Sequence, residues 1–159
     1  MAYKMNIDKH AYSFPTKIAA SAGSPHIYNI TLTTDTDNGA FVGRGDWNGF
    51  DNYKEAAAPT AFKGIIRAQA ADGNYYVEVT AVDPAKETLY LYNSPILPYT
   101  TPADLADLKN FYNAAGDVVK GYALIIGDIV EESAEGFDGT PEVGKTVTIK
   151  GKKLAVATA

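Results

Sequence analysis

Cysteine is absent from this chain of 159 residues, which excludes disulfides, thiolate metal sites and a cysteine nucleophile. Long apolar runs are absent too, since the run at residues 122–126 is far shorter than the ~20 residues of a membrane-spanning helix. Residues 1–10 lack the apolar core of a signal peptide. We therefore expect a soluble, unprocessed protein of the intracellular kind.

Basic charge is also scarce. The chain carries 14 Lys and Arg against 19 Asp and Glu, for a net charge of −5, and its sequence pI is about 4.9. The acidic residues are spread along the chain, and the sequence contains no basic stripe that would attract phosphates. We therefore predict that neither nucleic acid nor a membrane surface is a partner.

Catalytic signals are few. The only histidines, His10 and His26, are too few for a multi-histidine zinc site, and no serine stands in a nucleophile elbow. A pair of carboxylates that meets only in the folded chain, as in glycosidases, is left open by the sequence. We predict a protein that is not an enzyme, with no catalytic residues, no cofactor and no metal site.

Tyrosine, by contrast, is abundant, with 11 residues in the chain. This amphipathic side chain is favoured on surfaces that a partner half buries. Ordinary strand tyrosines explain the count equally well.

The chain is organised around residues 86–132, where Leu89 and Leu91 alternate with Tyr90 and Tyr92. This period of two predicts a strand with large side chains on both faces. One face packs on the core, and the other contacts a second surface. Later in the same stretch, a strand, a tight corner at Gly127 and a second strand are predicted.

Helix signals lie within this stretch. Thr101 is a candidate N-cap before Pro102, Leu105 and Leu108 recur at helical spacing, and Gly116 is a candidate C-terminal stop. Together they predict one inserted α-helix over about residues 102–115.

Turn signals divide the rest of the chain into short strands. Three of them each predict a hairpin: Asn38-Gly39 joins residues 27–33 to 40–42, Asp72-Gly73 joins 62–70 to 75–82, and Gly151 joins 146–149 to 154–156. We predict a mainly β fold, a small barrel or sandwich built from hairpins.

The glycine-rich residues 43–53 predict a structured loop whose aromatic residues form a candidate contact patch.

Residues 1–23 show no sustained period, which predicts an extended N-terminal arm before a single β-rich domain over residues 24–159. The arm carries large apolar side chains: Tyr3, Ile7, Tyr12 and Phe14. An arm with such anchors either packs along its own domain or docks on a neighbour.

Residues 139–146 match the phosphate-binding-loop pattern letter for letter. That loop works between a buried strand and a helix that starts at its Lys-Thr, whereas residues 132–138 are polar and residues 146–149 alternate like a strand. We therefore predict that the loop at Lys145 does not bind a nucleotide. With Gly39 at the sixth position of a calcium loop, Thr34 and Thr36 stand where the first two acidic ligands belong and no Glu closes the loop, so residues 35–39 predict a turn.

The order of several short motifs resembles a known family. The motifs are Phe111-Tyr-Asn-Ala-Ala-Gly116, Gly121-Tyr-Ala-Leu, Gly127-Asp-Ile-Val, Gly136-Phe and Val143-Gly, together with the opening AYKMNIDKH, the Asp37-Asn-Gly39 turn and the Ser94-Pro95 connector. This order is similar to that of small tailed-phage structural proteins encoded beside the major capsid protein.

The resemblance implies a virion component made in the host cytoplasm, of the auxiliary or decoration type, that binds the assembled head shell. It implies the major capsid protein as partner, with self-association on the particle, and no catalytic residues to carry over. The alternative is a tail, fibre or glycan-binding module that uses Trp47 and Tyr53 as a stacking platform. The candidate partner contacts are Tyr3, Ile7, Tyr12, Phe14, Trp47 and Tyr53.

Overall fold

A computed structural model describes residues 9–22, 26–95 and 108–158 of the chain. This part is mainly β. Its strands are β1 (Ser13–Lys17), β2 (Ile27–Thr31), β3 (Phe41–Gly49), β4 (Asn52–Ala56), β5 (Lys63–Gln69), β6 (Tyr75–Ala81), β7 (Thr88–Tyr92), β8 (Val118–Ala123), β9 (Ile129–Glu132), β10 (Phe137–Asp138), β11 (Thr146–Lys150) and β12 (Lys153–Val156). Short 3-10 turns cover Ala19–Ala22, Leu108–Asn110 and Ala134–Gly136. The predicted mainly β fold is confirmed.

Five strands close into a barrel in the order β2-β4-β3-β7-β8, with β8 returning to β2. Neighbouring strands are antiparallel except β2 and β4, which are parallel. Small and branched apolar side chains fill the barrel, because a bore this narrow has room for little else. They are Ile30, Leu32, Ala40, Val42, Leu89, Leu91, Val119 and Ala123.

The remaining strands form one large sheet in the order β1-β9-β6-β5-β11-β12-β10. The large sheet packs against the outer side of the barrel, where Phe41 of β3 and Tyr90 of β7 enter a second core. The Phe41 ring lies 5.5 Å from the Phe62 ring and 5.9 Å from the Tyr90 ring, measured between centroids. The outer wall of the barrel is therefore one side of the second core.

Strand β7 belongs to both cores. Leu89 and Leu91 point into the barrel, whereas Tyr90 is fully buried in the second core and stacks on Tyr92 at a centroid distance of 6.5 Å. The predicted strand with two bulky faces is confirmed, and the large sheet is what its second face meets.

Several local predictions are confirmed. β5 pairs with β6, and β11 pairs with β12, as antiparallel hairpins. The corner at Gly127, which has a φ of 96°, leads from β8 in the barrel to β9 in the large sheet. A strand, β11, follows Lys145 where a phosphate-binding loop would need a helix.

The predicted hairpin between residues 27–33 and 40–42 is wrong. β2 and β3 do not pair, because β4 lies between them in the barrel. The connection has its own distant partners: Thr36 forms a bridge with Asn113, and the backbone N–H of Gly39 donates to Leu91 O at 2.8 Å. The turn at Asn38-Gly39 exists, but contacts far along the chain decide where the strands on either side go.

The predicted α-helix is wrong over residues 108–115. Leu108–Asn110 forms a single 3-10 turn, and the chain then extends to the buried Asn113. The Asn113 side-chain amide donates to Thr36 O at 3.2 Å and to Asn38 Oδ1 at 3.1 Å. These buried hydrogen bonds outweigh local helix propensity. Residues 102–107 lie outside the described residues.

The predicted loop at residues 43–53 is instead the β3–β4 hairpin. Its glycines allow close packing of backbones, since a Cβ on Gly45 would lie only 2.6 Å from Lys54 O.

Part of the predicted arm is also a strand: β1 pairs with β9 at the edge of the large sheet. That part packs along its own domain, whereas Tyr3 and Ile7 lie outside the described residues.

The second core predicts a stability effect. Phe62 is 1% exposed and packs on Phe41, so Phe62→Ala should lower the free energy of unfolding by about 3–5 kcal/mol. Urea denaturation measures the change. Val143→Ala is the control, because Val143 is 57% exposed and should change stability by less than about 0.5 kcal/mol. A loss below about 1 kcal/mol for Phe62→Ala would contradict the packing described.

Candidate functional site

The β3–β4 hairpin ends in an unusual turn. Its two central residues, Phe50 and Asp51, have φ values of 55° and 61°, in a two-residue connection that normally favours Asn-Gly. A side chain in this left-handed region costs on the order of 1–3 kcal/mol per residue. Phe50 is nevertheless 94% exposed. Strained backbone positions cluster at functional sites, so this turn with its exposed ring is a candidate functional position.

A groove lies beside this turn. We call it the hairpin groove; its volume is about 390 Å³ and its lining residues are Ile27, Tyr28, Asn29, Trp47, Asp51 and Tyr53. The Tyr28 and Tyr53 rings meet edge to face at 5.5 Å because their strands run side by side. Trp47 pairs with Tyr53 across the hairpin and is 63% exposed. Mouths of β-barrels are frequent ligand sites.

Arg44 contacts both tyrosines. Its guanidinium lies 4.8 Å from the Tyr28 ring centroid and 5.3 Å from that of Tyr53, and its Nε is 3.7 Å from Glu87 Oε2. The Tyr28 hydroxyl donates to Glu87 Oε1 at 3.0 Å. Burial, followed by this hydrogen bond to the Glu87 carboxylate, raises the pKa of Tyr28. The aromatic wall of the groove is therefore preorganised.

A second exposed feature is the outer edge of the large sheet at β1. Tyr12 and Phe14 lie half-buried there, with ring centroids 6.0 Å apart in an edge-to-face contact. Among the described strands, β1 pairs with β9 alone. Pro15 has no N–H to offer a further strand. This surface, Tyr12 with β1, is called the β1 edge below, and it favours contact through side chains.

The two features lie far apart. Ser13 of β1 adjoins the start of β3, since a Cβ on Gly39 would lie 2.5 Å from the Ser13 Cβ. From there β3 runs from Phe41 to Gly49, which at about 3.3 Å per residue spans roughly 25–30 Å. The hairpin groove and the β1 edge are therefore at opposite ends of β3.

A buried acid lies near the β1 edge. Glu132 is fully buried, and neither carboxylate oxygen has a hydrogen-bond partner among the described residues. A Cβ on Gly39 or Gly136 would overlap this carboxylate, so glycine is required at both positions. Burial raises the pKa of Glu132 well above its ordinary value; the neighbouring Ser13 hydroxyl partly opposes this, and the Asp37 charge adds to it.

His10 ties the chain before β1 to the same region. Its Nδ1 lies 2.6 Å from Asp37 Oδ1, and Asp37 Oδ2 accepts from the Ala11 N–H at 2.9 Å.

In residues 9–22, 26–95 and 108–158, no three His, Asp or Glu side chains are grouped as a metal site requires. The same ranges contain no helix with the length and apolarity of a membrane span.

No protein-family model matches the chain, and comparisons with curated proteins and with solved structures give no match.

The structure brings four of the six candidate contact residues together in two pairs, whereas Tyr3 and Ile7 lie outside the described residues. Tyr12 and Phe14 meet at the β1 edge, and Trp47 and Tyr53 meet at the hairpin groove. The sequence reasoning missed Tyr28 and Asn29, because the parallel pairing of β2 with β4 joins segments with no local signal for it. Asp51 lies within the predicted loop at residues 43–53, where only aromatic residues were contact candidates. The alternation of Tyr28 with Ile30 was the available hint, since it places both side chains toward the barrel.

Because Glu132 is buried, the stability of the fold should depend on pH. A carboxyl whose folded pKa is raised contributes stability below its ordinary pKa, and this stability is lost as pH rises through the folded pKa. Each unit of the raised pKa corresponds to about 1.4 kcal/mol. Glu132→Gln cannot ionise, so its stability relative to the natural chain should increase from about pH 4.5 upward. Urea denaturation across pH measures the difference, and a constant difference would contradict the buried neutral acid.

The strained turn predicts a gain in stability. Replacing Phe50-Asp51 by Asn-Gly should raise the free energy of unfolding by about 1 kcal/mol, because these residues accept positive φ. Thermal and urea denaturation measure the gain. Ala-Ala at the same positions is the control and should give no gain, since alanine is strained there too. A loss of stability with Asn-Gly would show that the turn is not strained.

Proposed function

We propose that this chain is a structural protein of a tailed-phage particle that docks on the assembled head shell, with the major capsid protein as partner. The observation that carries the proposal is the pair of half-buried aromatic rings, Tyr12 and Phe14, at the β1 edge. Tyr3 and Ile7 precede this edge in the sequence. The resemblance of the motif order to phage structural proteins supports the same assignment.

Side-chain docking suits this edge. Pro15 discourages addition of a further strand, whereas large aromatic rings are common anchors in protein interfaces. A shell repeats one binding site many times, so modest affinity per copy becomes durable when neighbouring copies also touch. The hairpin groove lies at the far end of β3, roughly 25–30 Å from this edge, and is not part of the proposed contact.

A tail or fibre component is the second candidate. The hairpin groove favours it, because an exposed aromatic groove suits a protein that contacts a surface outside the particle. The two candidates differ in the assembly they bind, since the first requires head shells and the second requires tails.

The proposal predicts which variants lose docking. Shells that lack the protein are mixed with the purified chain, and bound copies are measured by sedimentation. Deleting residues 1–8 leaves the contacts of His10 with Asp37 and all of β1 in place, so the shortened chain should fold. We expect this deletion and Phe14→Thr each to weaken binding by about tenfold or more, which is about 1.4 kcal/mol.

The control changes the opposite end of the molecule. Trp47→Ala with Phe50→Ala removes two exposed rings and should leave shell binding unchanged. Full binding by both the shortened chain and Phe14→Thr would contradict docking through the β1 edge. Binding of the natural chain to purified tails but not to head shells would favour the second candidate.

A further inference from the structure

We propose that the hairpin groove binds a neutral sugar ring of a glycan. This inference concerns the opposite end of the molecule from the β1 edge, and it does not depend on shell docking. The groove volume of about 390 Å³ is in the range of small-molecule sites, ~300–1,000 Å³.

The groove offers an aromatic platform of the right kind. A pyranose ring has an apolar C–H face, which packs on the face of an indole or phenol ring and excludes water from both. Trp47 is 63% exposed, so its ring is open to such contact. Tyr28 and Tyr53 form the adjoining wall, and the Arg44 guanidinium lies over both rings.

Polar groups at the rim suit sugar hydroxyls. Asn29 and Asp51 line the groove, and the Asn29 side-chain amide lies 3.5 Å from Asp51 O. A carboxylate accepts hydrogen bonds from hydroxyls, and an amide both donates and accepts. Together they match neighbouring hydroxyl groups on one ring edge.

Charge selects a neutral ligand over a charged one. Three aromatic rings near a carboxylate would otherwise suit a quaternary ammonium group. The Arg44 guanidinium already lies against Tyr28 and Tyr53. A cationic ligand at the same rings would be repelled by this positive charge. An anionic ligand would be repelled by the negative charge of Asp51 and by the net charge of −5 on the chain.

The strained turn gives independent support. Phe50 and Asp51 share the left-handed conformation, but only Asp51 lines the groove, while Phe50 is 94% exposed. Strain of this kind persists where it holds a group in a required position. The turn therefore places Asp51 at the rim of the groove.

Trp47 makes the site directly testable, because it is the single tryptophan of the chain. The purified full chain is screened on an array of neutral glycans, and the hits are titrated at millimolar concentrations with tryptophan emission as readout. Maltotriose, cellotriose and the N-acetylglucosamine trisaccharide are titrated in every case. We expect a saturable change of Trp47 emission with at least one neutral glycan, and none with choline or a sulfated heparin oligosaccharide.

A matched pair of variants separates the groove from the turn. Asp51→Gly and Phe50→Gly both relieve a positive φ, but only Asp51→Gly removes a groove-lining group. We expect Asp51→Gly to weaken sugar binding by about tenfold, as loss of a charge-assisted hydrogen bond does, and Phe50→Gly to leave it nearly unchanged. Trp47 remains as reporter in both.

Three results would overturn the inference. They are the absence of a response to every neutral glycan on the array, a saturable response to choline or the heparin oligosaccharide instead, and equal sugar binding by Asp51→Gly and the natural chain. Shell docking is measured with other variants, so its failure and the failure of sugar binding are distinguished.

Discussion

Strand β7 is the constraint on which the rest of the structure depends. Its alternating side chains are buried on both faces, with Leu89 and Leu91 in the barrel and Tyr90 in the second core. One strand in two cores fixes the barrel against the large sheet, because neither core can shift without disturbing the other. The Tyr90 hydroxyl also meets Ser13 Oγ at 2.5 Å, which attaches β1 to the same strand.

This arrangement gives the molecule two ends with different surfaces. The β1 edge lies near Tyr90, whereas the hairpin groove lies at the far end of β3, roughly 25–30 Å away by strand rise. A protein held to a shell at one end would present its other end to the surroundings. The strain at Phe50 and Asp51 lies at the groove end, away from the contacts that join the cores.

Local patterns predicted much of this fold, and distant pairing accounts for what they missed. The two-faced strand at residues 88–92 and the β5–β6 and β11–β12 hairpins follow from period-two alternation and tight turns. The parallel pairing of β2 with β4 and the bridge of Asn113 with Thr36 join residues far apart in the chain. They overrode the hairpin predicted from Asn38-Gly39 and the helix predicted over residues 108–115. The hairpin groove depends on that parallel pairing, so the sequence indicated Trp47 and Tyr53 but not their partners.

Hydroxyl-radical footprinting of the chain on head shells tests the central claim most directly, because it reads both ends in one experiment. The account predicts that Tyr12 and Phe14 become protected on the shell, while Trp47 and Phe50 stay as reactive as in the free chain. Protection of Trp47 and Phe50, with Tyr12 and Phe14 unchanged, would contradict it.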